Sequence, residues 1–230
     1  MNGNKFDLGQ SETAAIQQAY FVKVFGWMGV GLVTTGLIAA VVANQVGYIS
    51  TPMFFGAAIL ELFLVFRLVR RVHLMSAQTA VVTFLGYSAL NGFTLSGLFL
   101  IYTAQSVASS FFIAASIFVA MAVYGYTTKR DLTGMGSFLI MGLIGVFVAY
   151  IINLFIGSSS FMMAISFLFV VIFTGLTAYD VQKISQMSLM ATMQGEEMVT
   201  KSAILGALTL YLDFINLFIW MLHLVGIARD

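Results

Sequence analysis

The run GALTLYLDFINLFI (206–219) places one aspartate, Asp213, inside an apolar segment that continues through WMLHLV to about residue 225. As a helix from about 203 to 225 it matches the ~20 residues needed to cross the ~30 Å hydrocarbon core of a bilayer. The rest of the chain rules out a buried helix of a soluble protein. Of its 230 residues, 60% are hydrophobic and only 8% charged, and there is a single Pro. Mean hydropathy is +1.01. A soluble domain of this size needs far more polar surface. The chain therefore reads as an integral membrane protein, with the lipid bilayer as its first partner.

Outward from this segment, hydropathy predicts seven spans, at about 24–46, 53–72, 79–101, 107–126, 135–156, 161–182 and 203–225. Helices are expected, because no short alternating segments suggest a barrel and open sheet edges are excluded from lipid. Span two carries Arg67, Arg70 and Arg71 at its end, which leaves a tilted or reentrant course open there. The connections near 47–52, 102–106 and 157–160 carry no charge. The other side collects Lys5, Lys23, Arg67, Arg70, Arg71, Lys129, Arg130, Lys183 and Lys201, leaving only Arg229 opposite. That bias predicts a cytoplasmic N-terminus and a C-terminus on the far side.

The net charge of +1 and the lack of a large basic patch argue against nucleic acid as a partner. With no Cys, disulfides and thiolate metal sites are excluded. Residues 1–19 are polar and lack the basic start and apolar core of a cleaved signal. They are expected to form a cytoplasmic tail ahead of a single transmembrane domain, 20–230. The connection 184–202 is expected to be a solvated loop, with an amphipathic interfacial segment as the other reading. Glycines in GWMGVGLVTTG (26–36) and MGLIG (141–145) are expected to serve close helix packing. His73 and His223 read as interfacial residues, and the many Met and Phe as packing rather than a cofactor pocket. No cofactor is expected.

Three acids remain: Glu61 in ILELFLVF (59–66), Asp180 in TGLTAYDVQKI (174–184) and Asp213. A carboxylate at the centre of a membrane helix is opposed by roughly 2.5–3.5 kcal/mol on insertion scales, so such groups are paired, protonated or facing water. From the predicted spans, Glu61 lies about 12 Å from the outer end of span two and Asp213 about 15 Å from the inner end of span seven. Both are near the midplane, and Asp180 is nearer the cytoplasm. Asn216 shares a face with Asp213, and Thr177 lies one turn before Asp180. If the faces meet, the two aspartates form one titrating unit able to share a proton or contact Ca²⁺. The structural alternatives are that Asp180 caps its helix or pairs with Lys183, and that Glu61 pairs with an Arg.

The two aspartate segments, together with YGYTTKRDLTG (124–134), resemble the signatures of the Bax inhibitor-1 family, also called the transmembrane Bax-inhibitor-motif family, in its bacterial inner-membrane members. The resemblance runs over nearly the whole chain from about Tyr20. It implies a seven-helix bundle with the last helix enclosed by the other six, and a pH-sensitive leak pathway for Ca²⁺. It also implies that Asp180 and Asp213 are the sensor pair, that Glu61 is the acidic residue of helix two, and that Arg70 or Arg71 latches onto the pair. Arg67 is an additional basic residue. Bacterial members are also implicated in interaction with membrane proteases, so a non-conducting regulator of a membrane complex is the alternative. An intramembrane aspartyl protease is disfavoured, since Asp213 sits in LYLD rather than GxGD. No GxSxG or HExxH is present, so the expectation is a non-enzyme.

Overall fold

The computed structural model describes residues 10–45 and 50–227. Lys5, Asp7, Arg229 and part of the first connection lie outside the described residues, as does the first half of the expected tail. The elements are α1 (Gln10–Ala43), α2 (Thr51–Arg71, continued by a 3-10 turn over Val72–Leu74), α3 (Ala77–Leu95), the single turn α4 (Leu98–Ile101), α5 (Ala104–Thr127), α6 (Thr133–Ile156), α7 (Ser159–Met193) and α8 (Glu196–Val225). Seven of these stretches are long and apolar enough to cross a membrane, with α4 continuing the third. No strand occurs among the described residues.

The turns are built from capping chemistry. Ser76, Thr103 and Ser158 each accept a backbone N–H from the first turn of α3, α5 and α7, respectively. Pro52 opens α2, where its missing N–H leaves no helix bond unmade. Gly157 ends α6 in the left-handed region at φ +68. Gly195, at φ +95, makes the turn from α7 into α8.

That last turn corrects one expectation. The polar stretch 184–202 is not a loop: α7 continues to Met193 and α8 begins at Glu196. Polarity reported the solvent rather than the backbone. ISQMSLMATMQ and EEMVTKS consist largely of helix-compatible residues with only Gly195 as a breaker. Likewise α1 starts at Gln10, inside the expected tail. Helices α1, α7 and α8 have 34, 35 and 30 residues, so they exceed the ~20 that fill the core and extend past it. Span two is one unbroken helix of 21 residues rather than a reentrant one.

Helix α8 is the most buried of the seven spans. It packs principally on α1, α3, α5 and α7, while α2 leans on α3 and α6 on α7. Its Ala203, Ile204, Ala207, Leu210, Tyr211, Leu217 and Leu222 are fully buried. The close approaches occur mostly at other glycines than expected. Gly31 meets Phe84 and Ser88, but Gly26, Gly29, Gly36 and Gly145 face open space. Between helices, the tightest approaches are Gly92 on Thr35, Gly125 on the Ala178 carbonyl and Gly136 on the Tyr179 ring. Only a glycine lets those backbones approach so closely.

Candidate functional site: two polar clusters on the central helix

Asp180 and Asp213 face each other across the α7–α8 interface, close enough for each carboxyl group to act on the other. Asp213 is 5% exposed, and its Oδ2 has no hydrogen-bond partner among the described residues. Thr177, Ala178, Val181, Leu210 and Tyr211, their near neighbours along the two helices, are all fully buried. Asp180 does not cap its helix, because α7 runs 13 residues beyond it to Met193.

The sequence around Asp180 is held by the α5–α6 connection. Leu132 donates its backbone N–H to Gln182 Oε1 at 2.9 Å, and Gln182 Nε2 donates to the Arg130 carbonyl at 2.8 Å. Gly125 and Gly136 close on Ala178 and Tyr179 from the two helices flanking that connection. The segments 124–134 and 174–184 are thus two halves of one clamp that fixes the rotation of α7. Gln182 was not singled out from sequence, where a polar residue near a span end carries no signal.

The second cluster surrounds Glu61, half-buried on α2. Thr94 Oγ1 donates to its Oε1 at 2.8 Å and Asn91 Nδ2 donates to its Oε2 at 3.3 Å. Tyr211 donates its hydroxyl proton to Asn91 Oδ1 at 3.0 Å, and Thr35 Oγ1 lies 2.6 Å from the same hydroxyl. Either hydroxyl can donate in the last contact, because Thr35 also gives its one proton to the Gly31 and Ser88 carbonyls, at 3.0 and 2.8 Å. The hydrogen bonds form one continuous chain, from Thr35 on α1 through Tyr211 on α8 and Asn91 on α3 to the carboxylate on α2. Tyr211 and Asp213 are two residues apart, about 200° around α8. One helix so presents a hydroxyl to one cluster and a carboxyl to the other.

Several expected contacts are absent. Glu61 is held by Asn91 and Thr94 rather than an Arg. Arg67, Arg70 and Arg71 are exposed, and Arg70 lies over the Phe66 ring at 5.2 Å. Neither Arg70 nor Arg71 pairs with an aspartate in this structure, since the ion pair among the described residues is Lys201–Glu197 at 2.9 Å. At the end of α2 both arginines point outward, where a charged head remains solvated. Lys183 lies over the Tyr179 ring at 5.7 Å. Asn216 and Thr177 do not support the pair either, because each donates to its own helix, to Leu212 O and Phe173 O at 2.8 Å. His223 is not simply interfacial, since its Nδ1 meets the Tyr102 hydroxyl at 3.0 Å.

No group of three or more His, Asp or Glu side chains among the described residues could hold a metal. The aspartate pair offers at most four oxygens, fewer than the 6–8 that Ca²⁺ takes. A resident calcium cage is not built here.

Fold and site together define a multi-pass α-helical membrane protein with a buried carboxyl pair on its two most interior helices. A family model described as inhibitor of apoptosis-promoting Bax1 matches residues 17–230. The chain is 43% identical over 217 residues to the Escherichia coli inner membrane protein YbhL, covering 92% of this chain and 93% of that protein. It is 42% identical over 226 residues to a Borreliella burgdorferi protein, covering 96% and 97%. It is 44% identical over 216 residues to the Rickettsia prowazekii protein RP147, covering 92% and 90%. The chain belongs to the Bax inhibitor-1 family.

Proposed function

We propose that this chain is a pH-sensitive cation leak pathway of the bacterial inner membrane, passing Ca²⁺, with Asp180 and Asp213 as its gate. In this reading its N-terminus is cytoplasmic and its C-terminus lies on the far side, the orientation that the distribution of basic residues favours. The observation that carries the reading is the proximity of two carboxyl groups across the α7–α8 interface, with no ion pair to either among the described residues and Lys183 acting on Asp180 only through its charge. One proton shared between them holds α7 against α8. Two unit charges ~4 Å apart repel by roughly 4 kcal/mol even at an effective dielectric of 20. Release of the proton therefore drives the two helices apart and leaves a negatively charged gap suited to a hydrated cation. Contact with calcium is that of an ion in transit, since two side chains cannot replace its water. Glu61, on the other face of α8, adds negative charge toward the outer side. No chemical step is involved.

The test is Ca²⁺ flux into dye-loaded liposomes over pH 6–8. Wild-type flux rises with pH as the shared proton leaves, and Asp180→Asn and Asp213→Asn abolish that dependence. An unchanged pH profile in both variants defeats the sensor assignment. Cleavage of a membrane substrate, lost in Asp213→Ala, would point to proteolysis instead.

A second reading, a regulator of a membrane protease or another membrane complex, is favoured by the extension of α1, α7 and α8 past the core. Met190 and Met193 there are 66% and 76% exposed. A cellular effect that survives both Asn variants but is lost in Met190→Lys/Met193→Lys would make interaction the primary role.

A further inference from the structure

Away from both clusters, α1 and α5 stand apart and leave an apolar groove of about 710 Å³ open to the membrane. Its walls include Phe21, Phe25 and Leu32 of α1 and Ala115, Val119 and Val123 of α5, and its floor is Phe214 of α8. From Gln18 to Leu32 it runs about 21 Å along α1. That is somewhat more than half of the ~30 Å core, the depth of one leaflet with its interface. At the basic end, the Tyr126 ring stands edge-on to Phe21 at 5.0 Å and lines this groove. The same Tyr126 lines a second, polar cavity of about 300 Å³, bounded by Lys129, Arg130, Asp131, Ser185 and Gln186. Tail-shaped and headgroup-shaped spaces thus share one wall.

The geometry points to a site for a single anionic phospholipid, with an acyl chain in the α1–α5 groove and the phosphate in the cavity beside Lys129 and Arg130. Charge selects this occupant over the others. Asp131 is the one acid in the cavity, and hydrogen bonds from Thr133 engage it and hold its carboxyl below the usual carboxylate range. The two cations outnumber it. An apolar helix from a second copy would fill the groove but leave those cations unanswered, whereas an anionic lipid meets both halves. An aromatic at the junction of tail and headgroup is also the usual residue at that depth.

The experiment uses the full-length protein in detergent, titrated with phosphatidylglycerol or phosphatidylcholine of identical chains and followed by native mass spectrometry. At about fivefold per basic residue, phosphatidylglycerol is retained roughly tenfold to thirtyfold more tightly. Lys129→Ala/Arg130→Ala reduces that preference to near unity. Val119→Trp, which fills the groove from an exposed position, weakens retention of both lipids, while Val171→Trp on the exposed face of α7 changes neither. Glycerol phosphate, a headgroup without tails, does not compete. Equal retention of the two lipids by the wild type overturns the site, as does a preference untouched by the double substitution. Val119→Trp converting a dimer to a monomer without altering lipid retention assigns the groove to a second copy and also overturns it.

Discussion

Tyr211→Phe isolates the hydroxyl that ties α8 to α1 and α3. The ring is fully buried and packs edge-on to Phe84 and Tyr87 at 5.9 and 5.7 Å, contacts that Phe keeps. What is lost is the bond given to Asn91 and the hydroxyl–hydroxyl contact with Thr35. A net hydrogen bond contributes about 0.5–1.5 kcal/mol, and those between membrane helices average ~0.6 with a maximum of ~1.7. Two bonds therefore amount to about 1–3 kcal/mol. The upper part of the range applies if Asn91 Oδ1 is left without a donor, since Thr35 can still turn to the Gly31 and Ser88 carbonyls. Equilibrium unfolding in mixed micelles measures the loss. A cycle with Asn91→Ala then isolates the contact, with an expected coupling of at least ~0.5 kcal/mol. A destabilisation below ~0.3 kcal/mol, or strict additivity with Asn91→Ala, would refute the idea that this chain of hydrogen bonds holds the four helices in register.

Gly125→Ala puts a methyl group against the Ala178 carbonyl, where neither backbone can yield. A loss of about 1–3 kcal/mol in the same unfolding assay is expected, and a neutral result would remove the α5–α7 clamp. Because the chain contains no Cys, single-cysteine variants label cleanly. A Cys at Met193, beside the α7–α8 turn, is expected to react with a membrane-impermeant maleimide only in inverted vesicles. Labelling in intact spheroplasts would reverse the proposed orientation.

Much of the fold was legible in the chain. The seven spans follow from hydropathy, and all seven begin or end within a few residues of the expected positions on their neutral side. The errors lie at the basic end, where α1, α7 and α8 leave the membrane without ending. Hydropathy marks where lipid gives way to water, and a helix of Met, Gln, Ala, Glu and Lys crosses that boundary without a backbone change. The glycines were misjudged for a related reason. Gly26 and Gly125 look alike in sequence, but only Gly125 faces another backbone.

The site divides in the same way. An acid in an apolar run is anomalous whatever surrounds it, so Glu61, Asp180 and Asp213 could be picked out from the sequence. Their partners could not. Asn91, Thr94, Tyr211 and Thr35 are ordinary polar residues of membrane helices, and Arg70 and Arg71 were as well placed by number as any latch. The solvent, the number of crossings and the asymmetry of charge can be read along the chain because each is a sum over its residues, and the three acids stand out against that background. That Asp213 turns to Asp180 while Tyr211, about 200° around the same helix, is linked to Glu61 through Asn91 depends on how α8 packs against its neighbours. Which face meets which neighbour is set by close packing at a few small residues, and that is a property of pairs of helices rather than of any one of them.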